Sequence, residues 1–276
     1  MAVAFALYIS PREEVTKGAI QYIRNRGQLI AVVEPNTLNY FIYKGEAFGF
    51  GLTMLQEFSK YLEVPLKVIA CSTVSQAYYY LDYHVADIMA YNLPVTRQGK
   101  NLAQFSSPLF ETSLVFVQRS LPSGKQDTGF TLVTSIKKFK KDTVVVQRNA
   151  FLQPLYDKFL SKAGRDVYLK EIPATFEELF RMVSEDSIDY LLCPENLSFV
   201  LNQAYRNTDI SLLATKPYPM AWALNHSSDS LLAILDYWLD SIASKRLLNK
   251  NYRQVYHNPR VVNHFRSEYF SLVATR

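Results

Sequence analysis

One order of segments constrains the fold more than any other feature, because it occurs twice. The charge-free apolar run 29–33 is followed by Met54, Leu55, Phe58 and Leu62 at helical spacing, and then by a second run, 66–69, apolar but for Lys67. A helix is expected over 74–81. Asp87 then introduces Ile88, Met89 and Ala90, which completes a βαβαβ order whose sheet should be covered on both faces. About a hundred residues later the order returns, with 143–146 as strand, 152–160 as helix and 167–172 as strand. A helix starts after Thr175, whose hydroxyl and Glu178 fit a capping box, and it buries Phe176, Leu179, Phe180 and Val183. Asp189 leads into the strand Tyr190, Leu191, Leu192. Two α/β lobes are implied.

The charge-free stretches 113–118 and 219–224 read as extended crossings between the lobes. The helix carrying Leu231, Leu232, Leu235, Trp238, Leu239 and Ile242 is expected on the first lobe. The reading is an α/β, two-lobed fold, each lobe a mostly parallel sheet flanked by helices, with two hinge crossovers. Lobe 1 is 26–115 with 219–257, lobe 2 is 116–218, and 258–276 is a linker or tail. Open α/β sheets bind ligands beyond the carboxyl ends of their strands, so the expected site is a cleft between the lobes.

Composition narrows the function. With 276 residues, 49% hydrophobic and two cysteines, the chain is neither disordered nor a disulfide-stapled mini-protein. Only 9 glycines disfavour Gly-rich nucleotide loops, and 14% aromatic residues suit packed cores or an aromatic-lined cleft. The net charge of +5 is scattered apart from 137–141, read as a solvated helix edge, so no nucleic acid partner is expected. No stretch approaches the roughly 20 apolar residues that span a bilayer, and 2–9 is too short and lacks a basic start. The chain reads as soluble, and a secretory signal removed from it stays open.

Several local motifs stand in a fixed order: Gly27 to Val33 as opening strand, Gly49-Phe50 before an amphipathic helix ending Tyr61-Leu62-Glu63-Val64-Pro65-Leu66, Ala86-Asp87-Ile88-Met89-Ala90, Phe105-Ser106-Ser107-Pro108-Leu109, and Ile188-Asp189-Tyr190. In that order they resemble the family 3 periplasmic solute-binding proteins, the type II two-lobed binding fold, over about 26–256. Within that family, three stretches are similar to the N-terminal domain of the membrane-bound lytic transglycosylases F. They are Asn36-Thr37-Leu38-Asn39-Tyr40-Phe41-Ile42-Tyr43-Lys44-Gly45, Val200-Leu201-Asn202-Gln203-Ala204-Tyr205, and Met220-Ala221-Trp222-Ala223-Leu224 before Ser227-Ser228-Asp229-Ser230-Leu231-Leu232. The resemblance implies a lysozyme-like catalytic domain after the binding domain; the chain stops at Arg276, about where it would begin, so its catalytic Glu is expected to be absent.

The family's amino-acid-binding members imply a clamp: an Arg in T-x-x-R, a hydroxyl residue before it, and an acid after the last strand of lobe 2. A bidentate guanidinium suits a carboxylate and an acid suits an ammonium group. Here Thr96 aligns with the motif threonine but Gly99 stands where the Arg belongs, with Arg97 two positions earlier. Pro94 takes the hydroxyl position and Pro194 the acid position, with Glu195 next to it. At the first helix of lobe 2, Arg148-Asn149-Ala150-Phe151 lacks the family's small hydroxyl residue, although a helix N-terminus still offers donors. A free α-amino acid is therefore not the expected ligand. The ligand-binding candidates are Tyr40, Phe41, Tyr43, Asn92, Thr96 and Arg97 in lobe 1 and Arg148, Asn149, Glu195 and Asn196 in lobe 2. The aromatics could equally pack in the core, the arginines lie on the surface, and Glu195 cap its helix.

His84, His226, His257 and His264 show no metal-ligand spacing, and Cys71 and Cys193 form no CxxC, so neither metal nor cofactor is expected and the thiols read as buried and free. Asp87 and Asp189 read as turn and helix anchors rather than an acid–base pair, and no triad spacing is present. The expectation is a non-catalytic, monomeric periplasmic domain that binds a small-molecule ligand such as a muropeptide, peptide or amino-acid-like solute. Its further partner would be a C-terminal catalytic domain, and a missing N-terminal segment could tether it to the outer membrane. The alternatives are a free-standing receptor of an ABC transporter and a degenerate structural or docking module.

Overall fold

The computed structural model describes residues 11–36, 38–120, 132–138, 142–163 and 167–253. Thr37, positions 139–141 of the basic run, His257, His264 and the tail 258–276 lie outside the described residues. In chain order the elements are α1 (Pro11–Arg26), β1 (Leu29–Val33), β2 (Phe41–Tyr43), β3 (Glu46–Phe48), α2 (Phe50–Leu62), β4 (Leu66–Ala70), α3 (Val74–Asp82) and β5 (Ile88–Pro94). Next come α4 (Arg97–Leu102), β6 (Gln104–Phe105), β7 (Phe110–Thr112), β8 (Leu114–Arg119), β9 (Asp142–Gln147), α5 (Gln153–Ala163) and β10 (Val167–Ile172). The chain continues through α6 (Phe176–Ser184), β11 (Tyr190–Pro194), α7 (Glu195–Ala204), β12 (Thr208–Leu213), β13 (Tyr218–Leu224), α8 (Asp229–Asp240) and α9 (Ile242–Tyr252).

These elements divide into two compact units. Unit 1 takes the chain up to Asn92, Lys100–Leu109 and Ala221–Asn251; unit 2 takes Leu93–Gly99, Phe110–Met220 and the chain from Tyr252.

The sheet of unit 1 runs β4-β1-β5-β13-β6; β7 pairs with Tyr218, Pro219 and Met220 at the start of β13, residues that fall in unit 2. β1 is parallel to β4, Leu29 opposite Leu66 through Val33 opposite Ala70, and to β5, Ala31 opposite Ile88. All five residues of β1 are buried, as a continuous apolar run requires of a strand covered on both faces. The expectation of full cover fails at β4: as the edge strand it is only half-buried and alternates with exposed Lys67 and Ala70. α8 buries Leu231, Leu235, Trp238 and Leu239 within unit 1, and the Trp238 ring meets Phe58 of α2 at 5.1 Å. It ends at Asp240 rather than running to Ile242, because Ser241 turns extended (φ −64°, ψ 148°) and Ile242 opens α9. α1 has no counterpart in the sequence reading; it packs on α8 with Ala19, Ile20 and Ile23 buried, and Ile20 N–H donates to Ser230 Oγ at 3.4 Å.

In unit 2 the order is β10-β9-β11-β8-β12. β9 is parallel to β10 and β11, while β8 is antiparallel to β11 and β12. α6 closes its capping box, Glu178 N–H donating to Thr175 Oγ1 at 3.2 Å and Thr175 N–H to Glu178 Oε2 at 2.7 Å. Such a cap contributes about 1 kcal/mol. Phe176, Leu179, Phe180 and Val183 face the core. Fully buried Gln118 exchanges two hydrogen bonds of 2.9 Å with the backbone of Val133, which fastens that stretch to β8.

Candidate functional site

In unit 1 the carboxyl ends of β1, β4 and β5 carry a tightly wired rim. Asn36 Oδ1 accepts the N–H groups of Leu38 (3.0 Å) and Asn39 (2.7 Å), an Asx turn that reverses the chain leaving β1. Asn39 is fully buried; its Nδ2 donates to Ala90 O of β5 at 2.8 Å and its carbonyl accepts Leu52 N–H of α2 at 3.2 Å. Gly49, at φ 137°, precedes α2 where a Cβ would fall 2.2 Å from Asn39 O, so only glycine fits. At Gly51 a Cβ would fall 2.1 Å from Asn39 Oδ1.

Tyr40 forms a bridge with Asn36 and is half-buried. Phe41 is buried and stacks on Phe48 across the β2–β3 hairpin, 5.8 Å between centroids. The segment after the Asx turn is thus a short hairpin, and Phe41 and Phe48 stack across it. The side chain of Tyr43, at the end of β2, lies outside the described residues. Asn92 is half-buried on β5. Beside it Tyr91, buried, donates its hydroxyl to Cys71 O, and burial above all pushes its pKa far up.

Unit 2 holds the other candidates. Thr96 Oγ1 accepts Gly99 N–H at 3.0 Å and starts α4, and Arg97 on its first turn is exposed. The compact units place both with unit 2, whereas the sequence reading set them in the first lobe. Arg148 follows β9; its Nε lies 3.5 Å from Glu171 Oε2 with both side chains largely exposed, a pair contributing about 0–1 kcal/mol. Asn149 acts as a cap: its Oδ1 accepts Phe151 N–H at 3.0 Å, and its carbonyl accepts Leu152 N–H (3.0 Å) and Gln153 N–H (3.1 Å). Those donors, expected to be open to a ligand, are spent within the turn.

After the adjacent strand β11, Glu195 is exposed at the first position of α7, and its N–H donates to Ser113 O at 2.8 Å. Asn196 is buried, and its Oδ1 accepts the Thr112 hydroxyl at 3.1 Å. β9 and β11 are paired in parallel, so the Arg148–Asn149 and Glu195–Asn196 turns leave neighbouring strand ends. The arrangement sets a cation and a carboxylate at one rim, which suits a zwitterionic or polar ligand. Tyr156 and Tyr218 of the same unit are buried, with hydroxyls that find no hydrogen-bond partner among the described residues, and burial raises both pKa values well above that of free tyrosine. Tyr252, whose ring meets Phe110 at 4.9 Å, is pushed up to about 12, first by burial and then by the Glu195 carboxylate. The sequence reading missed these tyrosines; their apolar neighbours made them look like core.

No known protein-family profile matches the chain. Among curated proteins it is similar to the "Membrane-bound lytic murein transglycosylase F" of Desulfosudis oleivorans, 24% identical over 241 residues, covering 85% of this chain and 50% of that protein. The protein of the same name from Yersinia pestis is 23% identical over 245 residues, covering 88% of this chain and 49% of its own. The chain therefore spans about half the length of the curated relatives it matches. Among solved structures, a mutant of ArgBP from T. maritima superposes with a TM-score of 0.71 at 17% identity, covering 87% of this chain and 99% of that one. The amino acid ABC transporter substrate-binding protein AbpA from Streptococcus pneumoniae, bound to L-arginine, gives 0.69 at 13%, covering 86% and 99%. The fold is that of the two-lobed solute-binding proteins. The similarity to the transglycosylases falls on their N-terminal domain.

Within the solute-binding fold the strand ends described above are where ligand contacts are sought. Among the described residues no group of three His, Cys, Asp or Glu side chains could hold a metal ion, and no helix is long and apolar enough to cross a membrane. Cys71 and Cys193 are both buried and free, and burial raises the Cys193 thiol far above an ordinary cysteine.

Proposed function

We propose that the chain is a non-catalytic ligand-binding domain, the sensory part of a cell-wall enzyme like the lytic transglycosylases F, and that it binds a peptidoglycan fragment or a similar small polar molecule. One observation carries the reading: 85–88% of the chain aligns with about half the length of such enzymes, and the chain itself has the fold of binding proteins. The candidate contacts are Tyr40, Phe41, Tyr43 and Asn92 in unit 1 and Thr96, Arg97, Arg148, Asn149, Glu195 and Asn196 in unit 2. Arg148 and Arg97 are exposed cations for ligand carboxylates, and Glu195 is an exposed carboxylate for an ammonium group. Binding would shift the population of a conformation felt by a C-terminal catalytic domain in a longer form of the protein. The reading places the domain in the periplasm as a monomer, tethered to the outer membrane through a segment preceding it. In the extents read from the sequence, lobe 1 would be 26–115 with 219–257 and lobe 2 would be 116–218.

A thermal-shift series with muropeptides, free peptides and amino acids tests this. A ligand at 100 times its Kd adds about 2.7 kcal/mol of stability. Stabilisation by muropeptides that is lost in Arg148→Ala supports the reading, and a flat response across the series overturns it. A second reading, a free-standing receptor for an ABC transporter, is favoured by the solved neighbour bound to L-arginine. It predicts stabilisation by arginine alone, against the departures at Pro94, Gly99 and Pro194.

A further inference from the structure

Unit 1 also carries a hollow away from the Asn39 rim. The hollow, of about 380 Å³, lies between the end of α3, the end of α4 and the loop from β13 to α8, with Tyr78, Asp82, Leu102, Asn225, His226 and Ser227 on its walls. It belongs to the other end of the sheet from the Asn39 rim, since Asn225 Nδ2 donates to the carbonyls of Leu81 and Asp82 (3.3 Å each), the residues that lead into the amino end of β5. The Tyr78 hydroxyl donates to Leu102 O at 2.9 Å, which ties α3 to α4 across the floor. Gln104 Nε2 donates to His226 O (2.6 Å) and Asp229 Oδ1 (2.7 Å) and holds the loop from the far side.

The chemistry of the walls selects a ligand class. The protons of the Tyr78 phenol, the Asn225 amide and the Ser227 hydroxyl are engaged within the protein, the last on Asn225 Oδ1 at 2.8 Å, so the walls offer the Asp82 carboxylate, the His226 imidazole and the lone pairs of the two hydroxyls; neither Lys nor Arg is among them, so no lysine or arginine there would neutralise a phosphate or a carboxylate. A carboxylate and an imidazole beside hydroxyl oxygens, in a hollow of this size, suit the hydroxyl groups of a sugar ring or two, since ligand pockets begin at roughly 300 Å³. The next face of α3 adds what a sugar needs besides hydroxyl partners. Tyr79 and Tyr83 are exposed by 51% and 64%, their rings 4.3 Å apart, and Tyr80 follows Tyr79 at 6.3 Å. Leu102, at the hollow's lip, is also exposed. A monomeric surface rarely leaves a run of aromatic rings to water without use, and the C–H face of a pyranose stacks on such rings.

We propose that this hollow seats one sugar of an uncharged glycan strand while the next lies over Tyr79 and Tyr83, a docking site separate from the ligand rim. The choice of a cell-wall glycan over another polysaccharide rests on the reading in the preceding subsection; the sugar chemistry does not.

The test uses the 276-residue chain and the tetramer of N-acetylglucosamine, a peptide-free glycan, titrated by calorimetry. Saturable binding weakened at least about tenfold both in Tyr79→Ala/Tyr83→Ala and in His226→Ala is expected. Circular dichroism checks that each variant folds, and the exposed tyrosines leave the core untouched. Absence of tetramer binding, binding that survives both variants, or loss of a concentration-dependent dimer in the tyrosine variant in place of loss of glycan would each overturn the proposal. Muropeptide stabilisation in the double tyrosine variant separates the two sites: the rim reading stands or falls on it whatever the tetramer does.

Discussion

Asp87 and Asp189 occupy the same place in the two units, one residue before a buried strand, and they meet opposite surroundings. Asp87 is nearly buried; its carboxylate pairs with Arg26 and accepts Ile30 N–H at 2.7 Å. Arg26 is itself held by Gln28 O (2.8 Å) and stacks over Tyr22, 5.1 Å from the ring centroid. Burial still outweighs these partners and leaves the Asp87 pKa above the usual carboxylate value. Asp189 is exposed, and among the described residues β11 is entered without an ionic anchor of this kind. The difference comes from α1, which adds to unit 1 the arginine that makes a buried carboxylate tolerable. One position in a repeated pattern thus has two energies, set by what packs over it.

The largest expected effect follows from that contrast. Asp87→Asn leaves the Arg26 guanidinium in a nearly closed site without its counter-charge, which costs about 3 kcal/mol. Asp189→Asn should move stability by less than about 0.5 kcal/mol. Urea unfolding of both variants measures this, and equal losses would break the comparison.

The second contrast lies at the strand ends. Asn39 in unit 1 is buried and bonded to two elements, whereas Asn149 in unit 2 is half-buried and caps only its own turn. Asn39→Ala strands the Ala90 carbonyl and opens a gap beside Gly51, a loss of about 2 kcal/mol, while Asn149→Ala loses a cap at about 1 kcal/mol. Should Asn149→Ala prove the costlier, the view that unit 1 has the stiffer rim would be wrong.

What could be read in the sequence follows the same physics. The apolar runs at β1, β9 and β11 were legible because strands buried on both faces tolerate no polar residue, and the α6 cap because its two members sit at fixed spacing. β2, β3, β6 and β7 were not, since two or three residues carry no period. α1 escaped because its buried stripe is Ala19, Ile20 and Ile23 in an otherwise polar segment. At the rims, Arg148 and Glu195 could be named from the chemistry of clamps, but not that Asn149 spends its helix's donors on itself, which depends on a rotamer. The hollow at His226 was illegible for another reason: its walls come from three segments distant in sequence, and a lone histidine after a strand looks like surface.

The smallest expected effect concerns tyrosines and pH. Tyr252 in unit 2 has a folded pKa of about 12 against an ordinary value near 10. Between those values the folded chain holds a proton that the unfolded chain has released, so stability is whole below about pH 10 and falls as pH rises toward 12. Tyr156 and Tyr218, buried in the same unit, shift in the same direction, whereas in unit 1 Tyr91 is the described tyrosine with a comparable shift. Unit 2 should therefore be the first to give way in alkali. Tyr252→Phe removes one proton-linked group and should flatten the decline of stability above pH 10. Tyrosinate absorbance followed with urea unfolding at a series of alkaline pH values measures both quantities. An unchanged slope in Tyr252→Phe would mean that the ring ionises in the folded chain without strain, and that Glu195 lies too well solvated to oppose it.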